Sequence, residues 1–241
     1  MLSSSPRRNS QRSGAARRGS GRTGRACGQR RGTSVIRVAD LETTTDPQDC
    51  RVWAWASVNV GNESDYVCGT NIEGFIDYCR MHSSITYFHN LGFDGVFIMD
   101  YLLKHGVTWV KKNPKPNEFT TLIDRLGKVY SITINLGGCV TEFRDSYKKL
   151  PMKVAEVARA FHQDEGKGEI DYGAPRPVGY SPTNEEWDYV RRDVVIVARA
   201  LRETLAEGMT RLTVGSDAMA EYKGLIGGEN KFRNFFPALS A

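Results

Sequence analysis

The sequence predicts a mixed α/β fold in which helices flank a β-sheet. Strand-like alternation of apolar and polar residues begins abruptly at Ser34 and recurs along the chain. Segments with helical periodicity lie between the strands, a pattern typical of α/β sheets. The 241 residues are 40% hydrophobic, which is enough to bury a core, and no apolar run is long enough to suggest a membrane span.

Five strands are predicted from this alternation and from the turn residues between them. They cover residues 34–43, 51–60, 84–88, 129–136 and 139–145. The first two are joined by a turn that contains Asp46 and Pro47, because both residue types favour turns. The last two form a hairpin across Gly137 and Gly138, since a two-residue hairpin turn needs positive φ at both positions.

Four helices are predicted from apolar periodicity and from their end residues. They cover residues 72–82, residues 94–105, a segment after Pro151 and a long final helix that runs to about residue 205. We expect Asp94 to begin the second helix and Gly106 to end it. In the final helix, Thr183 and Glu186 form a capping box, and Gly208 marks the end.

The net charge of +5 is unevenly distributed along the chain. Residues 1–39 hold ten arginines and no acidic residue, which leaves 23 basic and 28 acidic residues for the body. A basic surplus favours phosphate binding only where it lies on the folded part. Residues 1–33 are rich in Arg, Ser and Gly and predict a disordered tail. Such a tail fits a nucleic-acid arm, an organelle transit peptide or a solvated extension.

The five cysteines are widely spaced and include no C-x-x-C pair. They therefore indicate neither a disulfide framework nor a structural zinc site. A reducing compartment such as the cytoplasm is the expected location.

Four carboxylates lie on three predicted elements. Asp40 and Glu42 are two residues apart on a strand and so share a face. Asp94 opens a buried helix, where it also fits a plain N-cap. Tyr189 and Asp193 are four residues apart and share one face of the long helix. On each element alone, these residues fit a structural role. Together, the three rigid elements could bring the four carboxylates to one place.

Clustered carboxylates favour a hard divalent cation, Mg²⁺ or Mn²⁺, because such ions prefer oxygen ligands and relieve the repulsion between like charges. Two such ions about 4 Å apart suit phosphoryl chemistry, in which they activate a water and stabilise the leaving oxygen. The substrate would be a phosphodiester. Lys167 could neutralise charge on the phosphate, although a loop lysine is often only solvated.

At these residues the sequence resembles the protein-primed family B DNA polymerases of small tailed bacteriophages and linear plasmids. D-L-E-T-T-T at residues 40–45, flanked by D-C-R-V-W-A at 49–54, is similar to their first exonuclease motif. F-H-N-L-G-F-D-G at 88–95 resembles the second motif, and Y-V-R-R-D at 189–193 resembles the third.

Two further elements support the resemblance, which runs in order from about residue 35 to residue 241. D-S-Y-K-K-L-P at residues 145–151 is similar to the family's Ser-Leu-x-x-apolar element, with Tyr147 in the place of the leucine. G-K-G-E-I-D-Y at 166–172 is similar to the catalytic-lysine motif. The tyrosine substitution puts that contact with the DNA strand in doubt.

The resemblance implies a ribonuclease-H-like domain, residues 34–208, with 3′-to-5′ proofreading exonuclease activity. Two metal ions would be held by Asp40, Glu42, Asp94 and Asp193. Tyr189 would orient the attacking water, and Lys167 would assist at the scissile phosphate. The 3′ end of single-stranded DNA would be held by Thr43, Tyr87, His89, Asn90, Phe93, Phe97, Ser146 and Tyr147. Stacking on their aromatic rings would tolerate any base.

Residues 209–241 resemble the connection toward a polymerase palm, but no palm motif is present, so we expect no polymerisation by this chain alone. The implied partners are single-stranded DNA, a terminal protein and a polymerase half supplied in trans, without a membrane. The implied location is a phage-infected or plasmid-bearing cell, or an organelle if the tail is a transit peptide. Two alternatives stay open: an inactive remnant or split-enzyme module that binds these partners, and a free-standing nuclease on small RNAs.

Overall fold

A computed structural model describes residues 34–163 and 169–237. The predicted tail, residues 1–33, lies outside the described residues, as does Lys167. The strands are β1 (Val35–Thr43), β2 (Val52–Asn59), β3 (Asn62–Gly69), β4 (Ser84–Phe88), β5 (Thr108–Trp109), β6 (Glu118–Ile123), β7 (Val129–Leu136) and β8 (Cys139–Asp145). The helices are α1 (Ile72–Met81), α2 (Leu91–Lys104), α3 (Val154–Ala160), α4 (Asn184–Ala206), α5 (Val214–Leu225) and α6 (Glu229–Phe235).

The described strands form one mixed sheet in the order β3-β2-β1-β4-β8-β7-β6-β5. This confirms the predicted fold class of a mixed sheet with flanking helices. At its centre, β1, β4 and β8 run parallel, with Val38 beside Tyr87 and Phe88 beside Asp145. The carboxyl ends of these three strands therefore meet at one edge, where α/β sheets commonly bind ligands.

The sheet separates two apolar cores, because successive residues of a strand face opposite sides. Val38 packs with the buried residues of α4, whereas Ala39 and Leu41 pack with those of α1 and α2. The same alternation puts Asp40 and Glu42, which follow Val38 at intervals of two, on the side that α4 covers.

Several predicted end signals are confirmed. Gly137 and Gly138 both have positive φ, 62° and 92°, as a two-residue hairpin turn between β7 and β8 requires. At the start of α4, the Thr183 hydroxyl accepts a hydrogen bond from Glu186 N–H at 3.2 Å, and the Glu186 carboxylate accepts one from Thr183 N–H at 2.9 Å. Gly208 has φ 85° just after that helix.

The start of α2 differs from the prediction. The helix begins at Leu91, and Asn90 occupies the N-cap with the left-handed backbone angles φ 78° and ψ 54°. Asp94 therefore lies inside the first turn and is not the N-cap. The N-cap is an asparagine with left-handed backbone angles, and no glycine marks this turn in the sequence. The predicted start of the helix is therefore three residues too late.

The sequence did not predict β3, β5, β6, α5 or α6. In β3 each residue is exposed or half-buried, and α5 and α6 have no buried residue. Their apolar patterns are correspondingly weak. No helix among the described residues is both long and apolar enough to cross a membrane.

Candidate active site

An open cleft of about 800 Å³ lies at the carboxyl ends of β1 and β4. All four predicted carboxylates line it: Asp40, Glu42, Asp94 and Asp193. They come from a strand end, the first turn of α2 and the middle of α4, so rigid elements of the fold carry each one. The structure thus brings together the acidic residues that the sequence separated by more than 150 positions.

The end of β1 supplies the first two carboxylates. Asp40 is half-buried and Glu42 is buried. The pairing of β1 with β2 shifts between Glu42, opposite Ala54, and Thr43, opposite Val52, which leaves Trp53 as the extra residue of a bulge. Such bulges are frequent beside active sites, where they redirect side chains.

Asp94 is a buried acid of the cleft. It is 3% exposed, and its Oδ1 accepts a hydrogen bond from Leu41 N–H at 3.3 Å, which ties α2 to β1. Burial raises the pKa of Asp94 to about 8, with smaller contributions from the charges of Glu42 and Asp145, although the Leu41 hydrogen bond opposes the rise. A cation near these carboxylates would favour the ionised form of Asp94 and so lower its pKa again.

The long helix α4 supplies Asp193 and Tyr189, both buried. The Tyr189 hydroxyl lies 2.7 Å from the hydroxyl of Tyr172 in the loop before α4. Burial, this hydrogen bond and the Asp193 charge raise the pKa of Tyr189, so the phenol stays protonated. Tyr172 also lines the cleft and was not predicted as a site residue, because its contact with Tyr189 depends on how the loop folds.

The loop that carries Tyr172 is fixed by a buried cation. Arg176 is 6% exposed, donates to the Glu186 carboxylate at 2.9 and 3.1 Å and stacks its guanidinium 4.2 Å from the Trp53 ring centroid. It also donates to the Asp171 carbonyl at 2.8 Å, next to Tyr172. The loop is thereby joined to the start of α4 and to the bulge of β2.

The donor set fits a hard divalent cation in its chemistry, since only oxygens converge and their charges repel one another. Its arrangement is not that of a closed metal cage. In residues 34–163 and 169–237, no group of three or more His, Cys, Asp or Glu side chains is positioned to hold a metal ion. Side chains of the cleft would have to rotate toward a bound ion.

The structure places five of the eight predicted DNA-binding residues in the cleft and three outside its lining. Five of them line the cleft: Thr43, His89, Asn90, Phe93 and Tyr147. Phe93 is 53% exposed and offers a free ring face beside the carboxylates. Phe97 lies one helical turn further on, with its ring centroid 5.7 Å from that of Phe93, and is half-buried against the core under α1 and α2.

Tyr87 and Ser146 do not face the cleft. The predicted stacking of Tyr87 on a base has no exposed ring in this structure, because the side chain is 1% exposed within the core beneath α4. Strand alternation turns it inward, and its hydroxyl faces Arg144, at 3.5 Å. Ser146 is fully buried, and its hydroxyl donates to the Phe88 carbonyl at 3.0 Å.

Ser146 instead contacts His89. The His89 Nδ1 lies 3.0 Å from the Ser146 hydroxyl, and Nε2 lies 2.8 Å from the Met152 carbonyl oxygen. Because a carbonyl oxygen only accepts hydrogen bonds, Nε2 carries a proton. The imidazole orientation in the cleft is thus set by the segment that follows β8.

Comparisons with known proteins agree with this fold. Residues 77–176 match the family model described as "DNA polymerase type B, organellar and viral". Over 206 residues the chain is 40% identical to the DNA polymerases of Bacillus phages B103 and phi29, an alignment that covers 83% of this chain and 36% of each relative. It is 31% identical over 219 residues to the DNA polymerase of Streptococcus phage Cp-1.

Solved structures give the same result. The structure of phi29 DNA polymerase complexed with single-stranded DNA superposes with a TM-score of 0.82 at 38% identity, covering 86% of this chain and 38% of that one. The chain is therefore a relative of the type B DNA polymerases. Within that class it is similar to the phage polymerases of the phi29 type, and it spans about a third of their length.

Proposed function

We propose that this chain is a 3′-to-5′ exonuclease that removes nucleotides from single-stranded DNA, the proofreading portion of a protein-primed DNA polymerase. One observation carries the proposal: four carboxylates from three separate elements line a single cleft at the carboxyl edge of the parallel strands. The matching part of phi29 DNA polymerase, whose structure is known in complex with single-stranded DNA, has the same fold, which supports this substrate class.

Two Mg²⁺ or Mn²⁺ ions would be held by Asp40, Glu42, Asp94 and Asp193. Bound there, the ions would supply charge neutralisation at the scissile phosphate and favour ionisation of a water. The chain's own side chains bind and orient the end of the DNA strand. Phe93 presents a stacking face, and Thr43, Asn90 and Tyr147 lie around it to hold the last nucleotides. Phe97 supports the Phe93 ring, and Ser146 acts through His89.

Tyr189 is suited to orient the attacking water. Its phenol remains protonated, and the hydrogen bond with Tyr172 holds the hydroxyl at the cleft, where it can meet a water. Lys167, which lies outside the described residues, would balance phosphate charge. We assign this activity to residues 34–208 and a connecting role to residues 209–241. The site of action would be the cytoplasm of a phage-infected cell.

A second function is a binding module without catalysis, which would grip single-stranded DNA, a terminal protein or a separate polymerase half. The open arrangement of the carboxylates and the position of Tyr147 favour it. The two functions differ in whether the bound strand is cut.

The test is a polarity assay on oligothymidylate with Mg²⁺ or Mn²⁺. We expect a 5′-labelled strand to shorten stepwise, and a phosphorothioate at the 3′-terminal linkage to block shortening. A matched RNA strand should be cut more slowly if the substrate is DNA, because the ribose 2′-hydroxyl is the group that distinguishes them. Tight binding without shortening would favour the second function.

A further inference from the structure

A further carboxylate, that of Asp145, is buried close to the cleft. Asp145 is the last residue of β8, is 2% exposed and pairs in register with Phe88 at the end of β4. It is not among the residues that line the cleft. Its position at the end of a parallel neighbour strand puts it next to the turn that leads from β4 into α2.

One oxygen of Asp145 accepts three backbone hydrogen bonds. Oδ1 accepts from Asn90 N–H at 3.1 Å, from Leu91 N–H at 3.4 Å and from Tyr147 N–H at 3.0 Å. The Asn90 side chain makes no capping hydrogen bond, although Asn90 is the N-cap of α2. The neighbouring strand therefore caps this helix, and a carboxylate there also suits the positive end of the helix dipole.

The second oxygen of Asp145 is paired as well. Oδ2 lies 3.1 Å from Lys148 Nζ, and that amine lies 5.3 Å from the centre of the Tyr130 ring. Protein groups thus contact both oxygens, so the carboxylate is held in a fixed orientation.

The segment that Asp145 holds carries the residues of the cleft. Asn90 has a left-handed backbone, which a non-glycine residue keeps only when its surroundings hold it. Phe93 and Asp94 follow within the first turn of α2, where Leu41 N–H meets Asp94 Oδ1. Tyr147, bound to the same Asp145 oxygen, also lines the cleft. One acceptor therefore fixes two groups of cleft residues relative to each other.

We propose that Asp145 is a positioning residue for the reaction: its carboxylate oxygen sets the first turn of α2, and through it the location of Asp94 and Phe93 against β1 and Tyr147. This inference rests on the proposed exonuclease function. Its essential feature is an acceptor oxygen at this point, and the negative charge of the side chain is secondary.

The test compares Asp145→Ala with Asp145→Asn in the full chain. The asparagine keeps an acceptor oxygen for the three N–H groups, whereas alanine removes it. Leu102→Ala is the control for lost stability alone. Leu102 is fully buried in α2 but lies about three helical turns after the start of the helix, away from Asp145. All assays are run well below the thermal midpoint of each variant.

Two readouts are needed. The first is the rate of 3′ shortening of oligothymidylate as Mn²⁺ is titrated. We expect Asp145→Ala to lose at least ten-fold in rate at saturating strand and to need more Mn²⁺ for half-maximal rate. Asp145→Asn and Leu102→Ala should stay within about three-fold of the parent. Equal impairment of Asp145→Ala and Asp145→Asn, or full activity of Asp145→Ala, would overturn the inference.

The second readout is amide hydrogen exchange of the segment from Phe88 to Asp94 without metal or DNA. We expect this exchange to be at least ten-fold faster in Asp145→Ala than in Asp145→Asn. In Leu102→Ala the exchange of this segment should change no more than the exchange of the rest of the protein. Unchanged protection in Asp145→Ala contradicts the inference. If the parent cuts no strand at all, the proposed function fails, and this second readout still decides whether Asp145 fixes the turn.

Discussion

The hydroxyl oxygens of Tyr172 and Tyr189 lie 2.7 Å apart across the cleft, one from a loop and the other from α4. Removing the Tyr172 hydroxyl leaves the Tyr189 phenol with one fewer partner to fix its orientation. We expect Tyr172→Phe to lower the rate of 3′ shortening by about three- to ten-fold with little change in strand affinity. Tyr222→Phe, on α5, is the control. The measurement is a single-turnover rate, and an unchanged rate would show that the contact is only structural.

Arg176 should be critical for stability, because its guanidinium is buried between Glu186 and Trp53. Arg176→Ala leaves a buried carboxylate without its cation, so we expect a loss of about 3 kcal/mol in the free energy of unfolding. Arg176→Lys should recover only part of it, because lysine lacks the planar fork. Urea denaturation measures both. The exposed Arg80, 3.6 Å from Asp77, is the control, and Arg80→Ala should cost less than about 1 kcal/mol.

The Glu63 carboxylate should make the stability of the fold depend on pH. Hydrogen bonds from Arg199 and then Arg202 outweigh its partial burial and hold the pKa of Glu63 below the usual 4.5. The pKa of Glu63 is lower in the folded protein than in the unfolded chain. The stabilisation is therefore fully present above the unfolded pKa and is lost as the pH falls through the folded pKa.

We therefore expect Glu63→Gln to be less stable than the parent at pH 6, by about 1 kcal/mol or less, and the two to converge in acid. Glu203→Gln, an exposed position on α4, is the matched control. Thermal unfolding of the three proteins between about pH 6 and pH 3 measures the effect. A difference between Glu63→Gln and the parent that does not shrink in acid would contradict the assignment.

Phe93 and Tyr87 should differ sharply in DNA binding, although the family resemblance implies that both hold the DNA strand. Phe93 is 53% exposed in the cleft and Tyr87 is 1% exposed in the core. Base stacking on an aromatic ring contributes about 1–3 kcal/mol, so we expect Phe93→Ala to weaken binding of oligothymidylate about ten-fold. Tyr87→Phe should change it by less than about two-fold. Fluorescence anisotropy in the presence of a chelator separates binding from cutting.

The sequence was informative about those elements whose pattern is strong and local. The β7–β8 hairpin needs two residues with positive φ, and two glycines supply them; α4 begins at a capping box whose partners are three residues apart. In contrast, α5 and α6 bury no residue, so their patterns carry little periodic signal. The start of α2 depends on a cap from Asp145, a residue 55 positions away from Asn90, which no local pattern can reveal.

The candidate site shows the same division. Spacing within β1 predicted that Asp40 and Glu42 share a face, and spacing within α4 predicted the same of Tyr189 and Asp193. The structure brings all four carboxylates to one cleft. The inward direction of Tyr87 and the contact of Tyr172 with Tyr189 depend on the sheet and on the Arg176 loop. Those relationships arise from tertiary packing, so motif spacing could not supply them.

The most direct test of the account is the rate of 3′ shortening for Asp40→Ala combined with Asp94→Ala, measured against Asp100→Ala. Asp100 lies on the exposed face of α2 and pairs with Lys104, so its loss removes a carboxylate from the same helix outside the cleft. We predict that the parent and Asp100→Ala shorten oligothymidylate from the 3′ end with Mn²⁺, and that the double variant folds but is at least about 1,000-fold slower. A folded double variant that cuts as fast as the parent would contradict the assignment of this cleft as the active site.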